Sequence, residues 1–307
     1  MTAQLQRFLK NMLDRSSKLR YGSSMNKLST EERKAVVVAL VEGNSLRAVT
    51  RMTGAHRTTV MKLLCDLGRA CSEYQDKIFR NLQCKRLQCD EIWSFVYAKE
   101  KNCGALKKLE GGGDVWTWVA LDPDTKLVPC WFIGKRDAGA AYHFMNDLKS
   151  RLADRVQLTT DGHVAYLRGV TQAFGGSIDY AQLQKIYGSP RDGETRYSPA
   201  VCMGARKAII SGNPDYYHVS TSYVERQNLT MRMSMRRFTR LTNAFSKKLE
   251  NLEHAVALHY MHYNFCRIHQ TLRVTPAIEA GLTDHVWSIE EMIALTDGVS
   301  APPKEIS

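Results

Sequence analysis

Three acidic residues far apart along the chain, Asp90, Asp161 and Glu225, lie in local sequences that could bring carboxylates together. Asp90 falls inside a run rich in β-branched and aromatic residues, Leu87 to Tyr97, which reads as a strand. Asp161 follows a short strand-like run, Val156 to Thr160, and precedes Gly162, which leaves room for close approach. Glu225 stands near the start of an expected helix whose later turns carry Arg226, Arg232, Arg236 and Arg237. Three ionised carboxylates in one place repel one another unless cations lie between them. Mg2+ suits such a set, being a hard ion held by carboxylates, water and phosphate oxygens. Two such ions about 3.5–4 Å apart stabilise the attacking and leaving oxygens of an in-line phosphoryl displacement. The spacings of 71 and 64 residues carry little by themselves in a chain with 31 acids. The plainer alternative makes Asp90 and Glu225 salt-bridge residues and Asp161 a turn former. Glu91 competes with Asp90, because neighbouring side chains on a strand point to opposite faces and only one of the two is expected to face a metal. His163 is a candidate for positioning water or phosphate, with a structural helix-start histidine as the alternative.

The elements that must position these groups change character along the chain. Residues 1–27 are polar and basic and read as a poorly ordered extension, with Met25 opening the better-formed part. Ser29 and Glu32 form a capping-box pattern ahead of a helix burying Val36, Val37, Leu40 and Val41. Ser45 can cap a second short helix, Gly54 makes a turn, and a third helix follows from His56. Three helices with a tight turn before the last form the helix-turn-helix pattern. The start of the third helix offers Arg57, Thr58, Thr59 and Lys62 to base edges and phosphates; a plain packing unit is the alternative. Residues 69–86 read as a helical linker. Then come strands over 115–121 and 127–133 around a turn at Asp122 and Pro123, a helix over 138–152, a helix over 163–174 and a strand over 178–183. Residues 185–218 show little periodicity and read as an irregular insertion. A helix from Ser222 to about Arg237 and a long one from Ser246 to about Ile268 follow. Alternating strands and helices make this an α/β chain of about two units.

Charge narrows the partners. The net charge of +12 is concentrated: residues 1–86 carry +10, residues 226–248 carry +7 with no acid, and the remainder sums to −5. Two basic blocks around a mildly acidic middle suit a polyanion, nucleic acid first; Arg240, Lys247 and Lys248 belong to the second block. The longest aliphatic run, Ala35 to Val41, is far too short for a membrane span of ~20 residues, and no apolar leader segment is present. A cytoplasmic protein is expected. The eight cysteines lack the tight pairs of common zinc sites; Cys65, Cys71, Cys84 and Cys89 are separated by 5, 12 and 4 residues. His254, His259, His262 and His269 have no carboxylate at fitting spacing and read as ordinary histidines.

The words CDEIWSFV around Asp90, TTDGHVAY around Asp161 and YVERQNLTMRMSMRRFTRLTNAFSKK around Glu225 resemble the DDE transposases of bacterial insertion sequences, most nearly the insertion sequence 1 family. The likeness covers about residues 28–282, including YNFCRIHQTLRVTPA at 263–277. It implies an RNase H-like (retroviral integrase-type) catalytic domain behind a helix-turn-helix that binds terminal inverted repeats. The expected organisation is a helix-turn-helix domain at 28–68, the linker at 69–86, the catalytic domain at 87–245 with its insertion at 185–218, and a helical region at 246–300. The resemblance makes Asp90 and Asp161 the paired aspartates and Glu225 the distal glutamate of a two-Mg2+ site, Mn2+ serving as a substitute, for strand cleavage and strand transfer. Some relatives carry a cysteine-based zinc module ahead of the helix-turn-helix; residues 1–27 contain no cysteine, so no zinc is expected. The implied partner is double-stranded DNA of element ends and target, met in the bacterial cytoplasm at the nucleoid, with at least a dimer pairing two ends. Two rivals stand beside this reading: a helix-turn-helix regulator with a ligand-sensing α/β domain, and an RNase H-like nuclease that cuts without joining. Tyrosine recombination has no supporting Arg-His-Arg-Tyr pattern.

Overall fold

A reciprocal cap starts the first helix. Ser29 Oγ accepts from the Glu32 amide at 3.2 Å, and Glu32 accepts from the Ser29 amide at 2.8 Å. The computed structural model describes residues 28–188, 201–239 and 242–298; the extension at 1–27, its Met25 and Arg240 lie outside the described residues. Helix α1 (Thr30–Val41) is followed by α2 (Leu46–Thr53), capped by Ser45 and closed by Gly54 in the left-handed conformation at φ 73°. Helix α3 (Arg57–Ile78) starts after His56. Val36, Ala39, Val49 and Val60 form a small core where the three helices meet.

Helix α3 does not stop where a linker was expected. It runs unbroken for 22 residues, so 69–78 belong to the same helix. Leu67, Cys71 and Gln75 keep it docked on the main body, and Gln75 Nε2 donates to the carbonyls of Cys71 (3.0 Å) and Ala257 (3.2 Å). At its crossing with α8 (Leu249–Met261), a Cβ on Gly68 would lie 2.5 Å from the His254 carbonyl oxygen and 2.6 Å from His254 Cβ. A side chain there must push two helices apart, and overpacking costs about 1–3 kcal/mol. Gly68→Val is therefore expected to lower unfolding stability in urea by that amount or more. Gly104→Ala, where a Cβ meets nothing within 4 Å, should leave it nearly unchanged.

The main body is a six-stranded sheet in the order β3-β2-β1-β4-β5-β6. Strand β1 (Arg86–Val96) pairs antiparallel with β2 (Gly113–Leu121), and β2 with β3 (Cys130–Gly134). Strand β4 (Gln157–Asp161) runs parallel to β1 and to β5 (Asp179–Gly188), and β6 (Val201–Ser211) returns antiparallel. Helices α5 (Ala138–Arg151) and α6 (Val164–Phe174) supply the crossovers, after a short α4 (Ala105–Leu109). Trp118, fully buried, packs on Phe144 of α5 and Tyr166 of α6. Residues 88 and 90 point the other way, toward α7 (Ser222–Ser234).

Four expected boundaries move. β3 begins at Cys130 rather than Leu127, because Asn264 takes both backbone groups of Val128 at 3.0 Å in place of a strand partner. The stretch 185–218, expected to be irregular, contains the end of β5 and all of β6. Cys202 to Arg206 are exposed throughout, so this edge strand lacks the one-sided apolar alternation that marks a strand in sequence. α7 ends at Ser234, short of Arg237. The long C-terminal helix is α8 plus a π-turn at His262–Cys266. Beyond it Trp287 seals the body against Tyr74 of α3 (5.0 Å between ring centres) and Phe265 (5.2 Å). Short helices Pro276–Glu279 and Ile289–Ala294 complete the described chain. Among the described residues no helix is long and apolar enough to cross a membrane.

Candidate functional site

Strand β4 stops beside the middle of β1. Their parallel register sets Cys89 against Thr160, so Asp90 and Asp161 come next, side by side at the point where β4 ends. Oxygens of Asp90, Glu91 and Asp161 all lie within 4.8 Å of one another. Among the described residues no other group of three His, Cys, Asp or Glu side chains is so placed. Strand alternation holds: Gln88 and Asp90 face α7, while Glu91 faces the α5–α6 side. The expectation that only one of Asp90 and Glu91 could reach a metal position is nevertheless corrected. β1 continues to Val96 with no β4 beside it past Asp161, and around that open edge the Glu91 carboxylate meets the other two.

Glu225 approaches this group from α7 without joining it. The Gln88 side chain accepts from the Tyr223 and Val224 amides at 2.9 and 3.2 Å, fixing the start of α7 over β1. One turn on, Asn228 Nδ2 donates to Asp90 Oδ2 at 2.9 Å. Glu225 accepts from Thr221 Oγ1 at 2.6 Å and pairs with Lys185 of β5. It stands outside the tight group, yet its charge is among those that raise the Asp90 pKa. The salt-bridge alternative thus describes Glu225 but not Asp90, which makes no ion pair among the described residues. Asp161 is also a turn former: its Oδ1 accepts from the His163 amide at 3.0 Å.

Crowding and burial set the electrostatics. Burial first, then Asp161, pushes Asp90 up to about 6. Burial, followed by Asp161 and Asp90, pushes Glu91 up to about 8, against the pull of Arg136. Arg136 Nη2 lies 3.2 Å from Glu91 and 3.5 Å from Asp161, a single guanidinium between two acids. Glu91 Oε1 is buried, and the nearby Tyr166 hydroxyl also pulls the Glu91 pKa down. An all-oxygen donor set, charged beyond what one exposed arginine balances, fits a hard divalent cation. His163 contributes through its backbone; its ring packs on Trp118 at 5.9 Å, and burial lowers its pKa.

No protein-family model and no curated protein matches this chain.

The expected DNA-binding residues divide into two sets. A cavity of about 1210 Å3 separates the start of α3 from residues 234–237 and 242–248, and Arg57, Thr58, Lys62, Arg236, Arg237, Lys247 and Lys248 all line it. The two basic blocks of the sequence therefore meet. Thr59 is half-buried beside the cavity-lining residues, Arg226 is exposed on α7 and Arg232 is half-buried; none of the three lines the cavity. Lys62 also pairs with Asp66 at 2.6 Å.

Sequence reasoning missed Arg136, Lys185, Thr221 and Asn228. Asn228 was findable, since it follows Glu225 by three residues and so shares its helix face. Arg136 and Lys185 carry no local signal; a loop before α5 and the register of β5 bring them in.

Proposed function

We propose that the chain is a DNA transposase of the insertion-sequence type, cutting and joining phosphodiesters at a divalent-cation site. The meeting of Asp90 and Asp161 at the end of β4, with Glu225 held a helical turn from the Asp90–Asn228 contact, carries this reading. The order β3-β2-β1-β4-β5, antiparallel in its first three strands and parallel across β1, β4 and β5, supports the RNase H-like assignment. The exposed start of α3, behind two short helices, supports the helix-turn-helix assignment.

Mg2+ ions, with Mn2+ as substitute, would supply the positive charge that stabilises both the attacking and the leaving oxygen of an in-line displacement. Asp90, Asp161 and Glu225 would hold them, with Glu91 in reach. Thr221 and Lys185 fix the Glu225 carboxylate in place, and Asn228 orients Asp90. Hydrolysis of one phosphodiester at each element end leaves a 3′-hydroxyl. That hydroxyl then bonds to a target phosphorus as the target strand's own 3′-oxygen departs. No side chain becomes linked to DNA. Pairing two ends requires two copies of the site during reaction.

The test incubates the protein with Mg2+, a labelled duplex ending in the element's terminal repeat, and a target plasmid. Joined products are expected. Cutting without joining would favour the plain nuclease, and specific binding with neither activity would favour a regulator.

A further inference from the structure

The cavity beside α3 is lined by charge of one sign. Arg47, Arg57, Lys62, Arg236, Arg237, Lys247 and Lys248 reach it, and among the described residues no aspartate or glutamate lines it, in a chain with 31 acids. Arg237 is its most demanding member. Its guanidinium donates to Ser246 Oγ at 2.6 Å and has no carboxylate partner among the described residues. Burial lowers its pKa to about 10, so it stays charged at neutral pH. Half-buried and without a counter-ion, this cation is partly stripped of water, and an anion arriving there offsets that cost. Phe245 lines the same wall, half-buried, its ring 5.0 Å from Phe95, which is in turn 5.8 Å from Trp93. Asn44, Asn243 and Asn251 add amide groups.

Cations along a groove with an aromatic platform are the means by which proteins hold unpaired nucleic acid, because every exposed base has a face to stack. A duplex keeps its bases stacked on one another and leaves Phe245 without a partner. We propose that this cleft binds an unpaired strand of nucleic acid, phosphates on Arg237, Lys247 and Lys248 and a base on Phe245. The inference deepens the DNA-directed reading above but is independent of its metal chemistry.

Fluorescence anisotropy in EDTA, with the full chain, tests it using labelled oligothymidylate and a duplex of equal length. The unpaired oligonucleotide is expected to bind more tightly. Arg237→Gln and Phe245→Ala should each weaken it about tenfold, with thermal melting monitored to confirm folding. The double variant Lys247→Gln, Lys248→Gln changes only exposed side chains, and should flatten the salt dependence for the single strand by about 1.4 units of slope. Binding in EDTA involves no divalent cation, so a failure of the catalytic reading leaves this result standing. Equal or tighter binding of the duplex, or a single-strand affinity and salt slope unchanged in the double-lysine variant, would overturn the proposal.

Discussion

Asp90→Asn is expected to reduce strand cleavage and joining by ~10³-fold or more, equivalent to about 4 kcal/mol of lost transition-state stabilisation. The substitution removes one anionic oxygen at the centre of the acidic group while keeping size and a carbonyl acceptor for Asn228, which donates to Asp90 Oδ2 at 2.9 Å. The fold therefore has no reason to change, and the loss is read as chemistry. Asp161→Asn should behave alike. Glu225→Gln should lose activity too, and it also breaks the pairing with Lys185. Rates are measured on labelled ends under single-turnover conditions, with melting curves alongside. Joining that survives in the Asp90 variant at near wild-type rate would remove this aspartate from the site.

Glu91→Gln is expected to raise the melting temperature at pH 8 in EDTA by about 3 °C, on the order of 2 kcal/mol. Glu91 is raised to about 8 in the folded protein, from an ordinary 4.5. Across that window the native state holds a proton the unfolded chain has released, so stability falls as pH rises from about 4.5 to about 8. Asp90, raised to about 6, acts with the same sign between about 4 and 6. Glutamine is neutral throughout and escapes the penalty. What it forfeits is the contact to Arg136, whose side chain is 42% exposed; pairs of that kind are worth about 0–1 kcal/mol. The gain should vanish near pH 4.5, where both forms are uncharged. A millimolar level of Mg2+ at pH 8 should narrow it, because a cation bound to the native state stabilises the wild-type carboxylate. A lower melting temperature for the variant at pH 8 would mean that the Arg136 pairing dominates.

Much of this arrangement was legible in the sequence, and the gaps have physical origins. The strand around Asp90, the aspartate ending β4, and the helix carrying Glu225 follow from local composition and spacing. So do the capping box at Ser29 and the turn at Gly54. What a linear reading could not supply was register. Glu91 joins its neighbours because one strand ends before the next, a fact about two segments about 70 residues apart. β6 was hidden because both its faces are wet, and the start of β3 because a distant asparagine replaces a strand. The helix expected over 69–86 is present through residue 78 as a continuation of α3.

That unbroken helix behaves as a ruler. Its 22 residues span about 33 Å at the α-helical rise, from the rim of the basic cleft to the buried body that carries the acids, with no joint between. Under the transposase reading proposed above, a polynucleotide gripped at the rim would meet the acidic group at a fixed offset, and the distance between the held nucleotides and the severed bond would be a dimension of the protein.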